Sequence, residues 1–401
     1  MAQAAAPVEA AEPLTPLQEC LASQNLPQVV RMRSAADAVT YARVATQEEG
    51  IPTGVIPFAT GETPLAEVLD RAVALESHGR AAVWELSAEE AAPRVCSPVA
   101  LSQGEIDREE RFVIGVGLNY KAHADEAGGG DVFLFPKPAA PTPPYGHVAP
   151  PKNTPLLDYE IELAFVLLED IDLTAPPDKD EFLRKVAFFV SNDISDREAI
   201  LANPGGGFVE AKGQPSFFPA GPWIVRGTEL YAAFTQCGVE GLGIRLAVDE
   251  GSGFRARQNS MTSLMIASPE EILARLGTWV QEKGRRTTMP VTFGGETRYY
   301  PYALDDAAPR LPKGSVFLMG TPAGVALQIP GKLGLISRAL IRLRGPFEQF
   351  RHEALAQAAS GEPGGYLEPG DRVRASIDGL GTQLFTIQGA GSAQPTDPCA
   401  P

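Results

Sequence analysis

Forty glycines and 36 prolines punctuate this chain, together about 19% of its residues against an average nearer ~12%. Proline interrupts helices and strand ladders, and glycine supplies turns. That density excludes a long coiled coil or a plain helical bundle and predicts many short strands joined by turns. The runs are visible from Phe112 onward. Apolar or alternating stretches recur at 112–116, 163–168, 186–190, 223–225, 316–319, 373–377 and 384–387, with turn residues between them. Helical patterns are few, the clearest at 180–185 and 269–281. The expected class is α+β and mostly β, a folded-over β architecture and not a doubly wound sheet.

A length of 401 residues suggests two or three domains' worth of material. Residues 1–28 open as an Ala/Pro/Glu/Gln-rich stretch, expected to be a disordered tail. Residues 29–105 read as a smaller N-terminal α/β domain, with a strand pattern at 39–44 and a helix at 64–75. Thr63 is its N-cap and Pro64 its first helical residue. A charged linker, 105–111, leads into the main domain, 106–390. Two stretches within it look like insertions: about 136–155, with eight prolines, and about 327–366, with Arg338, Arg342, Arg344 and Arg351. Residues 391–401 read as a second disordered tail.

Thirty-four Lys and Arg face 50 Asp and Glu, a formal charge of −16. No nucleic acid is expected as a partner, because binding one needs a basic footprint to displace phosphate counterions. An anionic membrane surface is excluded on the same ground. Cys20, Cys96, Cys237 and Cys399 are scattered without a Cys-x-x-Cys pair, so neither a zinc ribbon nor a disulfide framework is expected. With no apolar run near ~18 residues and no signal-peptide pattern, the expectation is a cytoplasmic protein of a reducing compartment.

The residues able to carry chemistry begin at Leu157-Asp158-Tyr159-Glu160-Ile161-Glu162-Leu163. In a strand, Asp158, Glu160 and Glu162 share one face. Neighbouring carboxylates at roughly 7 Å repel by about 2–3 kcal/mol at an effective dielectric of 20. A solvated acidic edge tolerates this; a central strand requires a cation or a proton. The apolar run at 164–168 argues for a central strand. Asp193 closes a second apolar run. Two glutamates and an aspartate form an all-oxygen set suited to Mg²⁺, Mn²⁺ or Ca²⁺ and not to zinc. A helix starting at Asn119 places His123 and Glu126 on one face, either as a surface pair or as a general base with its orienting acid. Gly128-Gly129-Gly130 beyond it suits a mobile lid. Arg197 and Lys212 are solvated loop cations or clamps on a substrate oxyanion.

In order, these pieces resemble the fumarylacetoacetate hydrolase superfamily over about residues 112–388. The matching stretches are Gly117-Leu118-Asn119-Tyr120-x-x-His123-x-x-Glu126, Phe135-x-Lys137-Pro138, Asp158-Tyr159-Glu160-x-Glu162 and Ser191-Asn192-Asp193-Ile194-Ser195-x-Arg197. Lys212-Gly213, Pro219-x-Gly221-Pro222-Trp223, Gly320-Thr321-Pro322-Ala323-Gly324-Val325 and Leu367-x-Pro369-Gly370-Asp371 follow. The resemblance implies a pseudo-barrel (β-roll) of mixed β-sheets behind a variable N-terminal domain. It implies that Glu160, Glu162 and Asp193 bind a divalent cation, usually Mg²⁺, with Lys212 beside it. It places Arg197, Thr321 and Tyr120 at the substrate, makes His123 and Glu126 the dyad that activates water, and implies a homodimer. Two positions depart from the pattern. Ile200 stands where fumarylacetoacetate hydrolase itself carries a substrate-binding Gln, and the connection from Val325 to Leu367 is longer than usual.

The expected function is metal-dependent hydrolysis of a C–C bond in a 1,3-diketo or acylpyruvate-type acid, a small oxo-acid substrate. A decarboxylase, isomerase or dehydratase of a 2-oxo acid is the alternative on the same scaffold. A non-catalytic, metal-stabilised binding protein is the reading from a different class.

Overall fold

The computed structural model describes residues 19–21, 24–75, 83–87, 93–127, 130–202, 207–283, 288–293, 296–301, 310–327, 365–395 and 397–399. Gly128 and Gly129 and most of the 327–366 stretch lie outside the described residues. The architecture is mostly β. Val29–Arg33, Val39–Glu48, Ile51–Thr60 and Trp84–Glu85 pair consecutively into an N-terminal sheet. The helix Leu65–Ala74 buries Val68, Leu69 and Ala72, with Pro64 standing just before it as the N-cap.

Two larger sheets build the main domain. One has six strands in the order Val225–Arg226, Val186–Asn192, Ile161–Leu167, Val316–Leu318, Val113–Gly117, Phe133–Pro136. It is mixed, since Val316–Leu318 runs parallel to Val113–Gly117 and antiparallel to Ile161–Leu167. The other runs Phe254–Met261, Gly243–Asp249, Arg372–Ile377, Gly381–Ile387, His147–Val148. Ile161–Leu167 is buried along its whole length, which is what its nearly unbroken apolar sequence dictates for a strand covered on both faces. Phe165 stacks on Phe317 across the ladder at 4.8 Å between ring centroids. One apolar cluster runs from Val30 and Met32 of the N-terminal sheet through Phe165 and Phe188 to Ile244 and Phe385.

Three sequence expectations need correcting. Residues 136–155 are not an insertion on the surface: Lys137, Ala139, Val148 and Ala149 are fully buried. Apart from Pro136 and the short strand His147–Val148, their backbone bonds go to other elements instead of a ladder, as in Lys137 N to Val113 O (2.9 Å), Thr142 N to Phe218 O (2.8 Å) and Leu384 N to Pro144 O (3.0 Å). Prolines are compatible with such one-off pairings. Residues 19–21 and 24–28 are not a loose tail, because Leu21 and Leu26 are buried and Gln28 Nε2 donates to Gly379 O at 3.0 Å. Nor are residues 397–399: Arg31 donates to Asp397 Oδ2 (3.0 Å) and to Cys399 O (2.8 Å), and Arg33 Nε to Pro398 O.

The cysteines explain why the stretches around residues 20 and 399 are held. Cys20 bridges Cys237, and Cys96 bridges Cys399, over sequence separations of 217 and 303 residues. The disulfide framework that the scattered spacing seemed to exclude is therefore present, and it sits poorly with a reducing compartment. Scattered cysteines give no local signal because the partners meet only in the tertiary fold. Each bridge is expected to contribute about 2–4 kcal/mol. Urea melts with and without reductant check this: the reduced midpoint should be lower. Four reactive thiols in the native, unreduced protein would show that the bridges do not form. Among the described residues no helix is long and apolar enough to cross a membrane.

Candidate active site

Two adjacent strands deliver the acids. Val186–Asn192 pairs antiparallel with Ile161–Leu167, setting Ser191 opposite Glu162 and Asn192 opposite Ile161. Asp193 N then donates to Glu160 O at 2.8 Å, and Glu160 N to Asn192 Oδ1 at 3.1 Å. Oxygens of Glu160, Glu162 and Asp193, all buried, come within 4.8 Å of one another. That Asp193, the one acid delivered by the second strand, lies beside Glu160 follows from this register, which sequence spacing does not reveal.

Basic groups ring the acids. Lys212 Nζ donates to Glu160 Oε2 (2.6 Å), Asp193 Oδ2 (2.8 Å) and Ser195 Oγ (2.7 Å). An ammonium has three donors, so any proton delivery by Lys212 requires one of these bonds to break. Arg197 spans Asp158 Oδ2 through Nε (2.7 Å) and Glu160 Oε1 through Nη2 (2.5 Å). Asp158 thus points away from the acid cluster. It also accepts from Ala326 N (2.9 Å) and Leu327 N (3.1 Å). Lys137, fully buried, lies 2.6 Å from Asp193 Oδ1 and donates to the carbonyls of Lys212 (2.6 Å) and Phe217 (2.9 Å).

The electrostatics follow from burial. Burial alone pushes the Glu160 carboxyl up, but the charges of Lys212, Arg197 and His123 override it and hold the group below the ordinary carboxylate range. Glu162 goes the other way. Burial first, then repulsion from Asp193 and Glu160, raise it well above that range, against Lys212 and the Gly320 N–H. Burial likewise pulls the Lys137 ammonium down despite Asp193.

The dyad stands beside this cluster. Its helix is Lys121–Glu126, starting two residues after Asn119, with Tyr120 at the N-cap. Asn119 anchors the entry by donating to Ala267 O (3.0 Å) and Met319 O (2.8 Å). His123 Nδ1 is 3.6 Å from Glu126 Oε2, just beyond hydrogen-bond range. Glu126 is held in place by Gly324 N, 3.1 Å from each carboxylate oxygen. The helix is docked with His123 buried; Gly128 and Gly129, on which the lid expectation rests, lie outside the described residues. The Tyr120 hydroxyl is buried without a protein partner; burial and the charge of Glu162 raise its pKa well above the phenol range.

Thr321 is also in place, but its hydroxyl is committed. It donates to Ile161 O (2.9 Å) and accepts from Gln258 Nε2 (2.7 Å). Gln258 further accepts from Ile161 N (3.1 Å) and donates to Pro322 O (2.8 Å). It ties the central strand to the 320–325 loop, and nothing in its sequence context marks it. Lys137 also went unassigned, although its Phe-x-Lys-Pro setting was a usable signal.

The residues fit a hard divalent cation. Opposite oxygens of a six-coordinate site are about 4.2 Å apart around Mg²⁺ and about 5 Å around Ca²⁺, and these carboxylate oxygens all lie within 4.8 Å of one another. Four buried carboxylates, Asp158, Glu160, Glu162 and Asp193, meet three buried cations, Lys137, Arg197 and Lys212. A negative excess remains for a cation to offset, with charge left over for an anionic substrate.

The model of the C-terminal domain of fumarylacetoacetate (FAA) hydrolase matches residues 112–388. A Burkholderia ambifaria protein named only as an inferred hydrolase is 27% identical over 290 residues, spanning 69% of this chain and 74% of the relative. A similarly named Burkholderia multivorans protein is 26% identical over 291 residues, with the same coverage of 69% and 74%. Among solved structures, fumarylacetoacetate hydrolase from Exiguobacterium antarcticum superposes with a TM-score of 0.53 at 20% identity, covering 90% of this chain and 99% of that one. A 2-hydroxyhepta-2,4-diene-1,7-dioate isomerase from Mycobacterium marinum gives 0.52 at 20% identity, covering 91% and 99%. At these identities the solved structures speak for the fold alone.

Proposed function

The chain belongs to the fumarylacetoacetate hydrolase family, and from that premise we propose a divalent-cation-dependent hydrolase that cleaves a C–C bond in a 1,3-diketo or acylpyruvate-type acid. The observation that carries the reading is the buried His123–Glu126 pair, whose acid is fixed by the Gly324 N–H and whose imidazole acts by its charge on Glu160. Isomerisation and decarboxylation need an enolate but no activated water; a base oriented by a carboxylate is what hydrolysis needs.

Glu160, Glu162 and Asp193 would hold the cation, for which the all-oxygen set favours Mg²⁺. When bound it supplies Lewis acidity toward substrate oxygens. Glu126 orients the imidazole through Nδ1, and His123 Nε2 takes a proton from water. The hydroxide adds to a carbonyl carbon. The adjacent C–C bond then breaks, its electron pair passing to the departing fragment as an enolate, which regains the proton at carbon from the imidazolium. Lys212 and Arg197 keep Glu160 ionised throughout.

The substrate is proposed to differ from fumarylacetoacetate. Ile200 packs with Ala199, Ala211 and Phe208 and offers no hydrogen bond where an amide would read a substrate oxygen. Setting an apolar group against a buried oxygen costs about 1–3 kcal/mol, or about 5- to 150-fold in affinity. The test is a Mg²⁺-supplemented screen of acylpyruvates, fumarylacetoacetate and oxaloacetate, following loss of the enol absorbance, product mass and ¹⁸O uptake from labelled water. Expected are acylpyruvate cleavage and ¹⁸O in the acid released. Turnover without ¹⁸O uptake overturns the hydrolase reading; fumarylacetoacetate winning by roughly tenfold overturns the Ile200 argument.

A further inference from the structure

We propose that the Tyr366 hydroxyl, beside Arg197, reads a terminal oxygen group at the far end of the substrate and gives this protein a preference for diacids. The proposal deepens the functional reading above and rests on it for the identity of the site. Both ends of the long connection are tied to one point. Ala326 N and Leu327 N donate to the Asp158 carboxylate at its start. At its end Leu367 N donates to Leu157 O at 2.7 Å. Tyr366 is thereby set against the pair Leu157–Asp158, whose aspartate holds Arg197.

Three features make that hydroxyl a binding group. It is buried yet has no hydrogen-bond partner in the protein, a condition that costs stability unless another molecule supplies the partner. The Leu367 N bond to Leu157 O sets it next to Asp158, and the charges of Asp158 and Arg197 both reach it. Arg197 uses Nε and Nη2 on Asp158 and Glu160, and its Nη1 takes no bond among the described residues. A phenolic O–H and a guanidinium N–H together match a carboxylate. This group lies on the Asp158 side of Arg197, whereas the acid cluster lies on the Glu160 side. A linear acid held at the cluster by its oxo-acid end would bring its other end here. Ile200, on the same short helix as Arg197, has withdrawn into its own apolar cluster and offers no polar group to that end of the substrate.

The test compares butyrylpyruvate with succinylpyruvate, which differ only in a terminal methyl against a terminal carboxylate. The ratio of kcat/KM is measured for the wild type and for Tyr366→Phe, which keeps the ring and removes only the hydroxyl. If the wild type cleaves neither compound, the ratio of calorimetric Kd values in Mg²⁺ buffer replaces it, so failure of the hydrolase reading stays distinct from failure of this one. The wild type is expected to favour the diacid, and Tyr366→Phe to reduce that preference roughly five- to tenfold. A preference unchanged within twofold in the variant, or a wild type that binds no diacid, overturns the proposal.

Discussion

Glu160→Gln should lower kcat/KM by about 150- to 5,000-fold at saturating Mg²⁺. The substitution conserves shape and removes one charge from a carboxylate that is shared three ways. Glu160 receives Arg197 at Oε1 and Lys212 at Oε2 and belongs to the oxygen cluster with Glu162 and Asp193. Breaking a buried ion pair costs about 3–5 kcal/mol, and the expected range is the rate equivalent of that energy falling wholly on the transition state. Two cations would be left facing an amide, and the cluster would offer one carboxylate fewer to a metal. Calorimetric Mg²⁺ titration of the same variant should show binding weakened or lost, and a melting curve should show that the fold survives. Asp158→Asn is the comparison. That residue holds Arg197 and two backbone N–H groups but stands outside the cluster, so its loss should fall on KM and stability and leave Mg²⁺ binding within about threefold. Glu160→Gln activity within tenfold of wild type would remove the cluster from the chemistry.

The contrast between Glu160 and Asp158 shows how far sequence alone could reach. Alternation placed Asp158, Glu160 and Glu162 on one face, and it identified the central strand from the apolar run behind them. It could not show that the chain leaves the ladder at Tyr159 and Glu160, between Leu157–Asp158 and Ile161–Leu167, which lets Asp158 turn to Arg197. The same limit applies to Lys137 and Gln258. Each is buried by contacts with residues more than 70 positions away, and only tertiary register brings such pairs together. The strands Val113–Gly117, Ile161–Leu167, Val186–Asn192 and Val316–Leu318 were legible because buried parallel and central strands are written as unbroken apolar runs. The hairpin Gly243–Asp249 with Phe254–Met261 was not, since its outer strand carries the polar residues Arg255, Arg257, Gln258 and Asn259 in a row broken only by Ala256. The cysteines failed for a related reason: two bridges spanning more than 200 residues each leave no spacing to read.

His123→Ala should reduce hydrolytic kcat by about 10²- to 10⁴-fold, the usual contribution of a positioned general base. Alanine is the best helix former, and His123 lies inside the helix Lys121–Glu126, so the backbone should hold. What disappears is the imidazole between Glu126 and the acid cluster. Its Nδ1 stands 3.6 Å from Glu126 Oε2, so a closure of about 0.6 Å would make a hydrogen bond of ordinary length. Free-enzyme geometry of this kind commonly tightens only when substrate is bound. Glu126→Gln should cost less than His123→Ala, because Gln can still meet the Gly324 N–H with its carbonyl oxygen while losing the charge that stabilises an imidazolium. The measurement pairs two reactions in the same variants: hydrolysis of an acylpyruvate, scored by ¹⁸O uptake, and decarboxylation of oxaloacetate, which needs the enolate but no activated water. If His123 is the base, the first rate collapses and any decarboxylation that the wild type shows falls by no more than about fivefold. Equal losses in both would make His123 a support for the metal site through its charge on Glu160. Hydrolytic kcat unchanged within threefold would remove His123 from the reaction.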